Sequence, residues 1–281
     1  MQTEKRPPKI LVLVLAVDRD PWQNIEVHGQ ARTWRSQVPT NVQVIRYIGS
    51  SPFGLNAQFC EFLWKASAKL DPLYGMKRLR FIRRIWNRFP NAFLRNVGSS
   101  SAVLTYSPDH QLEVLKVDVP DVYSLIGLKT LQAFRYALEH KEFDYIYRTN
   151  VSSYVDLGDL LRETRNLPLS DVYAGAEGFF YNIAFASGSG YLVSRDVVAQ
   201  VVTHSRDWNH LLVDDVALGE IIEEFLSTKL RDLPRRDFTN AEQVTGNLED
   251  FFHFRCKALD PNETIQIMER IHTDKNLHER F

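Results

Sequence analysis

Near the amino terminus, Lys9-Ile10-Leu11-Val12-Leu13-Val14-Leu15-Ala16-Val17 form an apolar run with no polar alternation. A strand with one wet face alternates apolar and polar residues, so an unbroken run fits a strand covered on both faces, as in a parallel sheet layered between helices. The run is too short to cross a membrane and lacks the flank of a cleavable leader. Beyond it the chain alternates between helix and strand patterns. Trp22–Trp34 reads as helix and Val42–Ile48 as strand, then Phe59–Leu70 and Lys77–Arg88 as helices. Leu112–Val117 reads as strand, Leu125–His140 as helix, Phe143–Arg148 as strand and Leu157–Thr164 as helix. Val172–Gly175 and Gly190–Ser194 are short strands, Arg195–Thr203 and Asp215–Leu226 are helices, and a polar helix lies near Pro261–Leu277. The expectation is an α/β fold, a mixed and mostly parallel sheet flanked by helices, in one continuous domain over residues 1–281.

Composition excludes little but locates one anomaly. The net charge of −1 gives no general attraction for nucleic acid. Residues 60–100, however, hold nine Lys or Arg against Glu61 and Asp71, a local +7 in a body of −8. Tyr74, Phe81, Ile82, Ile85, Trp86, Phe89 and Phe93 interleave with those arginines. Such a basic helical insertion has two readings: a helix pair packing its wide apolar face on the sheet, or peripheral contact with an anionic membrane surface. Cys60 and Cys256 have no zinc or redox spacing and read as buried thiols in a reducing compartment. A cytoplasmic location, with peripheral membrane contact left open, is the corresponding expectation. Scattered histidines imply no zinc site, and neither a Gly-rich phosphate loop nor a Gly-x-Ser-x-Gly elbow occurs.

Five segments in order carry a family resemblance. They are His28-Gly29-Gln30-Ala31-Arg32-Thr33-Trp34, then Asp118 to Thr130 (Asp-Val-Pro-Asp-Val-Tyr-Ser-Leu-Ile-Gly-Leu-Lys-Thr), then Arg148-Thr149-Asn150-Val151-Ser152-Ser153-Tyr154-Val155. Ala186-Ser187-Gly188-Ser189-Gly190-Tyr191-Leu192-Val193-Ser194 and Val213-Asp214-Asp215-Val216-Ala217-Leu218-Gly219 complete the set. Together they resemble the landmarks of the β1,3-galactosyltransferase and Fringe family, inverting glycosyltransferases of the GT-A fold. The likeness covers roughly residues 9 to 226. It implies sugar transfer from a nucleotide-diphosphate sugar, by analogy a UDP-sugar, to a glycan or other hydroxyl acceptor. A lipid-linked acceptor would suit the membrane reading of residues 60–100, and the net charge of −1 calls for no nucleic-acid partner. The chain departs from the family at one point: where relatives carry a metal-binding acidic cluster, it has Asn150-Val151-Ser152 and no carboxylate.

Inverting transfer is a single displacement. It needs a base for the acceptor hydroxyl and positive charge for the departing diphosphate. The resemblance makes Asp215 the base, with Asp214 the second candidate. At the start of a helix the same pair also reads as a cap (Asp214) and a dipole-matching acid (Asp215). Adjacent carboxylates help keep one of them basic. Hard divalent cations prefer carboxylate oxygen, so Asn150 and Ser152 point to a site with no obligatory metal, with assistance by Mn or Mg left open. Asp156 reads as the cap of the next helix.

Substitute cations are sought in Phe252-His253-Phe254-Arg255-Cys256-Lys257, a segment of 250–281 expected to close the donor site. Period two puts His253, Arg255 and Lys257 on one strand face, where Arg255 can fork onto phosphate oxygens, Lys257 adds a point charge and His253 hydrogen-bonds phosphate. The plain alternative is an edge strand with a solvated basic face. By resemblance Arg32, Lys129 and Arg148 join Asn150 and Ser152 on the donor side, although Arg32 also reads as a surface residue beside Trp34. Gly188, Ser189 and Gly190 fall on the acceptor side, where a tight turn alone also explains the glycines. A second functional reading stays open: a non-catalytic carbohydrate- or nucleotide-binding relative.

Overall fold

The computed structural model describes residues 6–51, 54–67, 102–108, 110 and 112–278. Most of the basic stretch at 60–100, including the helix expected over Lys77–Arg88, lies outside the described residues, as does the side chain of Cys60.

The apolar run at the amino terminus becomes β1 (Ile10–Leu15), the centre of the main sheet. It pairs in parallel with β2 (Val42–Ser51) on one side and β5 (Tyr145–Asn150) on the other. Because both edges are occupied by parallel neighbours, both faces must be covered, and the strand divides its side chains accordingly. Leu11 and Leu13 enter one core with Leu128, Phe134, Val198 and Ile221, while Ile10, Val12 and Val14 enter a second with Trp34, Leu160, Phe254 and Met268. Each fully buried aliphatic side chain of this kind contributes about 1.5–3 kcal/mol relative to exposure.

Outward from β2 come β4 (Leu112–Pro120), parallel, and β3 (Val103–Ser107), antiparallel. Beyond β5 lie β8 (Ile183–Ser194), antiparallel, then β7 (Tyr173–Phe180) and β9 (Leu230–Asp232), giving eight strands in the order β3-β4-β2-β1-β5-β8-β7-β9. A second sheet of three strands, β10 (Arg235–Phe238), β11 (His253–Cys256) and β6 (Ser153–Val155), lies against the second core. This is the α/β architecture expected from alternation.

Helices close the layers. A short α1 (Trp22–Asn24) continues as a π-helical turn over Ile25–Gln30, in place of the regular helix expected to Trp34. The remaining helices are α2 (Leu55–Ser67), α3 (Ile126–His140), α4 (Leu157–Arg165), α5 (Arg195–Thr203), α6 (Asp214–Phe225) and α7 (Pro261–His278). Asp156 is the N-cap of α4, its side chain accepting from Asp159 N at 3.0 Å. Cys256 is fully buried, and burial pushes its thiol pKa upward, as suits a packing residue. No helix among the described residues is long and apolar enough to cross a membrane.

The topology also fixes where a ligand can sit. From β1 the chain crosses to β2, whereas β5 arrives on the opposite side of β1, so connections diverge at the C-terminal ends of these two strands. Such a divergence opens a crevice in α/β sheets. The second sheet borders this crevice, and its central strand is held by Phe254, which is fully buried between Tyr154, Phe238 and Phe251. Replacing Phe254 by Ala is expected to cost about 3–5 kcal/mol in a urea titration; a loss below about 1 kcal/mol would mean that the small sheet adds little to the core.

Candidate active site

A cavity of about 330 Å³ occupies the crevice. Its floor comes from the end of β1 (Leu15, Ala16, Val17) and the end of β5 (Arg148, Asn150, Val151, Ser152). Ser187, Gly188 and Ser189 of β8 and Val213, Asp214 and Asp215 at the start of α6 form one wall. Arg255 and Lys257 stand beside them; Arg19, Trp22, Asp121, Val122, Tyr123, Ile126 and Lys129 complete the lining.

Arg148 is the structural centre. It is 2% exposed, and each part of its guanidinium has a partner. Nη2 donates to Asp214 Oδ2 at 2.6 Å, Nε donates to the Tyr47 hydroxyl at 3.1 Å, and Nη1 donates to the Gly188 carbonyl. The Tyr191 ring lies 5.6 Å from its guanidinium carbon. Tyr47 in turn hydrogen-bonds Thr130 Oγ1 at 3.0 Å. Three of the five N–H donors of Arg148 are thus committed to the protein, so it anchors the site from a place in the cavity lining.

The two aspartates therefore differ. Asp214 is buried against Arg148, and the N-cap of α6 is Val213, so Asp214 does not cap the helix. Asp215 faces the cavity. Its Oδ2 accepts from Gly188 N at 2.7 Å and its Oδ1 from Val216 N at 2.9 Å. Burial, then the charge of Asp214, raise its pKa to about 6, against the pull of the Gly188 N–H and Arg148. Gly188 suits this close approach: a Cβ there would stand 3.0 Å from Asp215 Oδ2 and 3.1 Å from Arg148 Nη1, so those side chains would have to give by a few tenths of an ångström.

The β5–β6 turn is built from its own side chains. Asn150 Oδ1 accepts from Ser152 N (3.1 Å), Ser152 Oγ (3.0 Å) and Ser153 Oγ (3.1 Å), while its Nδ2 donates to the Gly188 carbonyl at 3.3 Å. Gln30 Nε2 donates to the carbonyls of Asn150 (2.9 Å) and Ser153 (3.1 Å), and Trp34 Nε1 to the latter at 3.2 Å. The segment from His28 to Trp34 thus braces the turn from behind. Arg32 points elsewhere: it is exposed and outside the cavity lining, so its placement as a donor contact is corrected to a surface position.

His253 and Gly190 are likewise not part of the cavity lining. His253 is 2% exposed, and burial, then Arg235, lower its pKa to about 3, which leaves a neutral ring at neutral pH. It packs against Gly190, where an added Cβ would meet the Tyr147 hydroxyl and lie 2.6 Å from His253 Cε1. Arg255 and Lys257 both line the cavity, but His253 sits outside its lining, packed against Gly190 of β8. Lys129 lines the cavity, yet it is buried and its ammonium is paired with Asp121; burial is the larger influence and lowers its pKa.

Charge in the cavity is uneven. Asp214 is matched by Arg148 and Asp121 by Lys129. Arg255 has only a 3.5 Å contact with Asp237, and among the described residues neither Arg19 nor Lys257 has an ion-pair partner. Just behind, Arg235 Nη1 donates to Ser187 Oγ and Ser189 Oγ, each at 2.7 Å. Among the described residues no group of three or more His, Cys, Asp or Glu side chains is placed to hold a metal ion. Arg19, Trp22, Tyr47, Tyr123 and Arg235 are site residues that motif reading missed. Arg19 and Trp22 come directly after the first parallel strand, where the crevice rule would have pointed to them; Arg235 carries no such signal.

No known protein-family model matches the chain. In sequence it is similar to human UDP-GalNAc:beta-1,3-N-acetylgalactosaminyltransferase 2, at 24% identity over 145 residues, 45% of this chain and 29% of that protein. It is also similar to mouse (Mus musculus) UDP-GalNAc:beta-1,3-N-acetylgalactosaminyltransferase 1, at 27% identity over 142 residues, 41% of this chain and 43% of that protein. The match therefore spans less than half the length of either relative. Among solved structures, mouse xyloside xylosyltransferase 1 in its apo form matches with a TM-score of 0.38 and 11% identity, over 88% of this chain and 96% of that one.

A carboxyl whose pKa is higher folded than unfolded binds its proton more tightly in the folded state. The stability contributed by Asp215 is thus fully present below its ordinary pKa of about 4 and lost as pH rises through about 6. Asp215→Asn is accordingly expected to melt higher than the parent at pH 8, with the gain shrinking toward pH 4. A gain that is flat across this range would contradict the raised pKa.

Proposed function

We propose that the chain is a GT-A type inverting glycosyltransferase that moves a sugar from a UDP-sugar to a glycan hydroxyl, with Asp215 as the base and no obligatory divalent metal. The observation that carries this reading is the position of Asp215: a carboxylate at pKa about 6 facing the same cavity as Arg19, Arg255 and Lys257. A base with a pKa just below neutral is ionised at neutral pH yet still accepts a proton. Similarity to two UDP-GalNAc-dependent β1,3-transferases supports the donor class.

The displacement balances on these groups. Asp215 takes the acceptor hydroxyl proton as the acceptor oxygen bonds to the anomeric carbon. The bond from that carbon to the diphosphate oxygen breaks on the opposite side, and its electron pair leaves with the nucleotide. Charge building on that oxygen is met by Arg255, Lys257 and Arg19, whose stabilisation is strongest where water is excluded. A divalent ion fits the β5–β6 turn poorly. Asn150 Oδ1 already accepts from three local donors, and neither Asn150 nor Ser152 brings a carboxylate, a donor set that suits neither Mn²⁺ nor Mg²⁺.

The deciding assay offers a panel of nucleotide sugars in EDTA and again with Mn²⁺, and measures release of nucleoside diphosphate. Turnover of a UDP-sugar in EDTA is the expected result. Turnover only with Mn²⁺ would keep the transferase and remove the metal-free leaving-group site. Binding without turnover in any condition would favour a non-catalytic binder. Asp215→Asn is expected to lose about 10²–10⁴-fold in kcat while still binding UDP. The double substitution of Arg255 and Lys257 by Ala should instead weaken UDP binding about 10–100-fold.

A further inference from the structure

Away from the cavity lining, Glu26, Arg35 and Arg46 form a cluster of buried charge, joined at its edge by Asp18 and His110. Glu26 of the π-helical turn is fully buried and accepts from Arg46 Nε at 2.7 Å and from Arg35 Nη1 at 2.9 Å. Arg46 of β2 extends its Nη2 to within 2.6 Å of Asp18 Oδ1, an ion pair without a linear hydrogen bond. Arg35 Nη2 donates to the His110 carbonyl at 2.9 Å. Two carboxylates thus face two guanidiniums, and burial, the larger influence, lowers the pKa of His110. Stability alone does not account for the cluster, since well-packed apolar residues serve a core equally well. A paired buried guanidinium supplies fixed geometry instead.

What that geometry fixes is the loop leaving β1. Asp18 immediately precedes Arg19, Trp22 opens α1 three residues further on, and both Arg19 and Trp22 line the cavity. Glu26 holds the far end of the loop, one turn into the adjoining helix, and Arg46 joins both ends to the rigid sheet. Between these anchors the backbone hydrogen bonds are local, Arg19 O accepting from Gln23 N and Pro21 O from Ile25 N. We propose that Asp18, Arg46, Glu26 and Arg35 are positioning residues that set the Arg19–Trp22 wall, so that the cavity receives a nucleoside diphosphate with a cation and an aromatic face already in place. Asp18, whose side chain is half exposed, is the adjustable end of the device. The inference rests on the nucleotide reading of the cavity.

The test uses Asp18→Asn, which keeps the size of the side chain and removes its charge, with UDP as the probe. The dissociation constant for UDP should rise about 5–10-fold, while kcat at saturating donor and the melting temperature stay near parental values. Hydrogen exchange over residues 17–24 should become faster in the free protein. A dissociation constant within about twofold of the parent would overturn the proposal. So would a lower melting temperature accompanied by parallel losses in kcat and acceptor affinity, which mark a purely structural role. If UDP does not bind the parent protein, the nucleotide reading is what fails. Faster exchange over 17–24 in the variant would then still support positioning, and unchanged exchange would overturn it.

Discussion

The Arg148–Asp214 ion pair is the contact on which the cavity is hung. Burying a guanidinium and a carboxylate is costly unless each remaining polar atom is satisfied, and breaking such a pair by removing one member leaves an uncompensated buried charge. Here satisfaction requires β2 through Tyr47, α3 through Thr130, β8 through the Gly188 carbonyl and α6 through Asp214. Four elements distant in sequence are thereby held in one register. The pair also separates the roles of two adjacent aspartates: one is consumed by the scaffold, and its fixed charge helps keep the other basic.

The β5–β6 turn shows the same economy of parts. Where a carboxylate cluster would need a cation to offset its own repulsion, Asn150 closes the turn by accepting from Ser152 and Ser153, with Gln30 and Trp34 holding the outer carbonyls. Positive charge enters from other places in the chain: Arg19 after β1, and Arg255 and Lys257 from the second sheet. The cationic side of the cavity is therefore assembled from segments more than two hundred residues apart.

Much of this was legible in the sequence, for reasons particular elements make plain. The run from Ile10 to Leu15 announces a strand covered twice because its composition leaves no wet face, and β1 does divide its side chains between two cores. Asp214 and Asp215 were placed at a helix start, but their division of labour was not readable, because it depends on Arg148, sixty-six positions earlier. β8 runs from Ile183, well before the Gly190 start expected, since a stretch of Ala, Ser and Gly has weak strand preference until β5 and β7 pair with it. The shared face of His253, Arg255 and Lys257 was inferred from period two. Depth along the strand, which excludes His253, is a tertiary property. Arg32 misled because its neighbours Gln30 and Trp34 turn inward to brace the turn while it faces solvent.

The hydrogen bonds to Asp215 have a consequence for the return half of a cycle. Oδ1 and Oδ2 each accept one backbone N–H, and neither bond has a proton to exchange with the carboxyl. In the reaction proposed above, a proton taken up by Asp215 would find no relay in these two contacts and would leave through the cavity that the carboxylate faces. A pKa of about 6 makes that departure downhill in neutral medium. On that proposal, resetting the carboxylate would use the same cavity that receives the ligands, which would couple recovery of the base to product release.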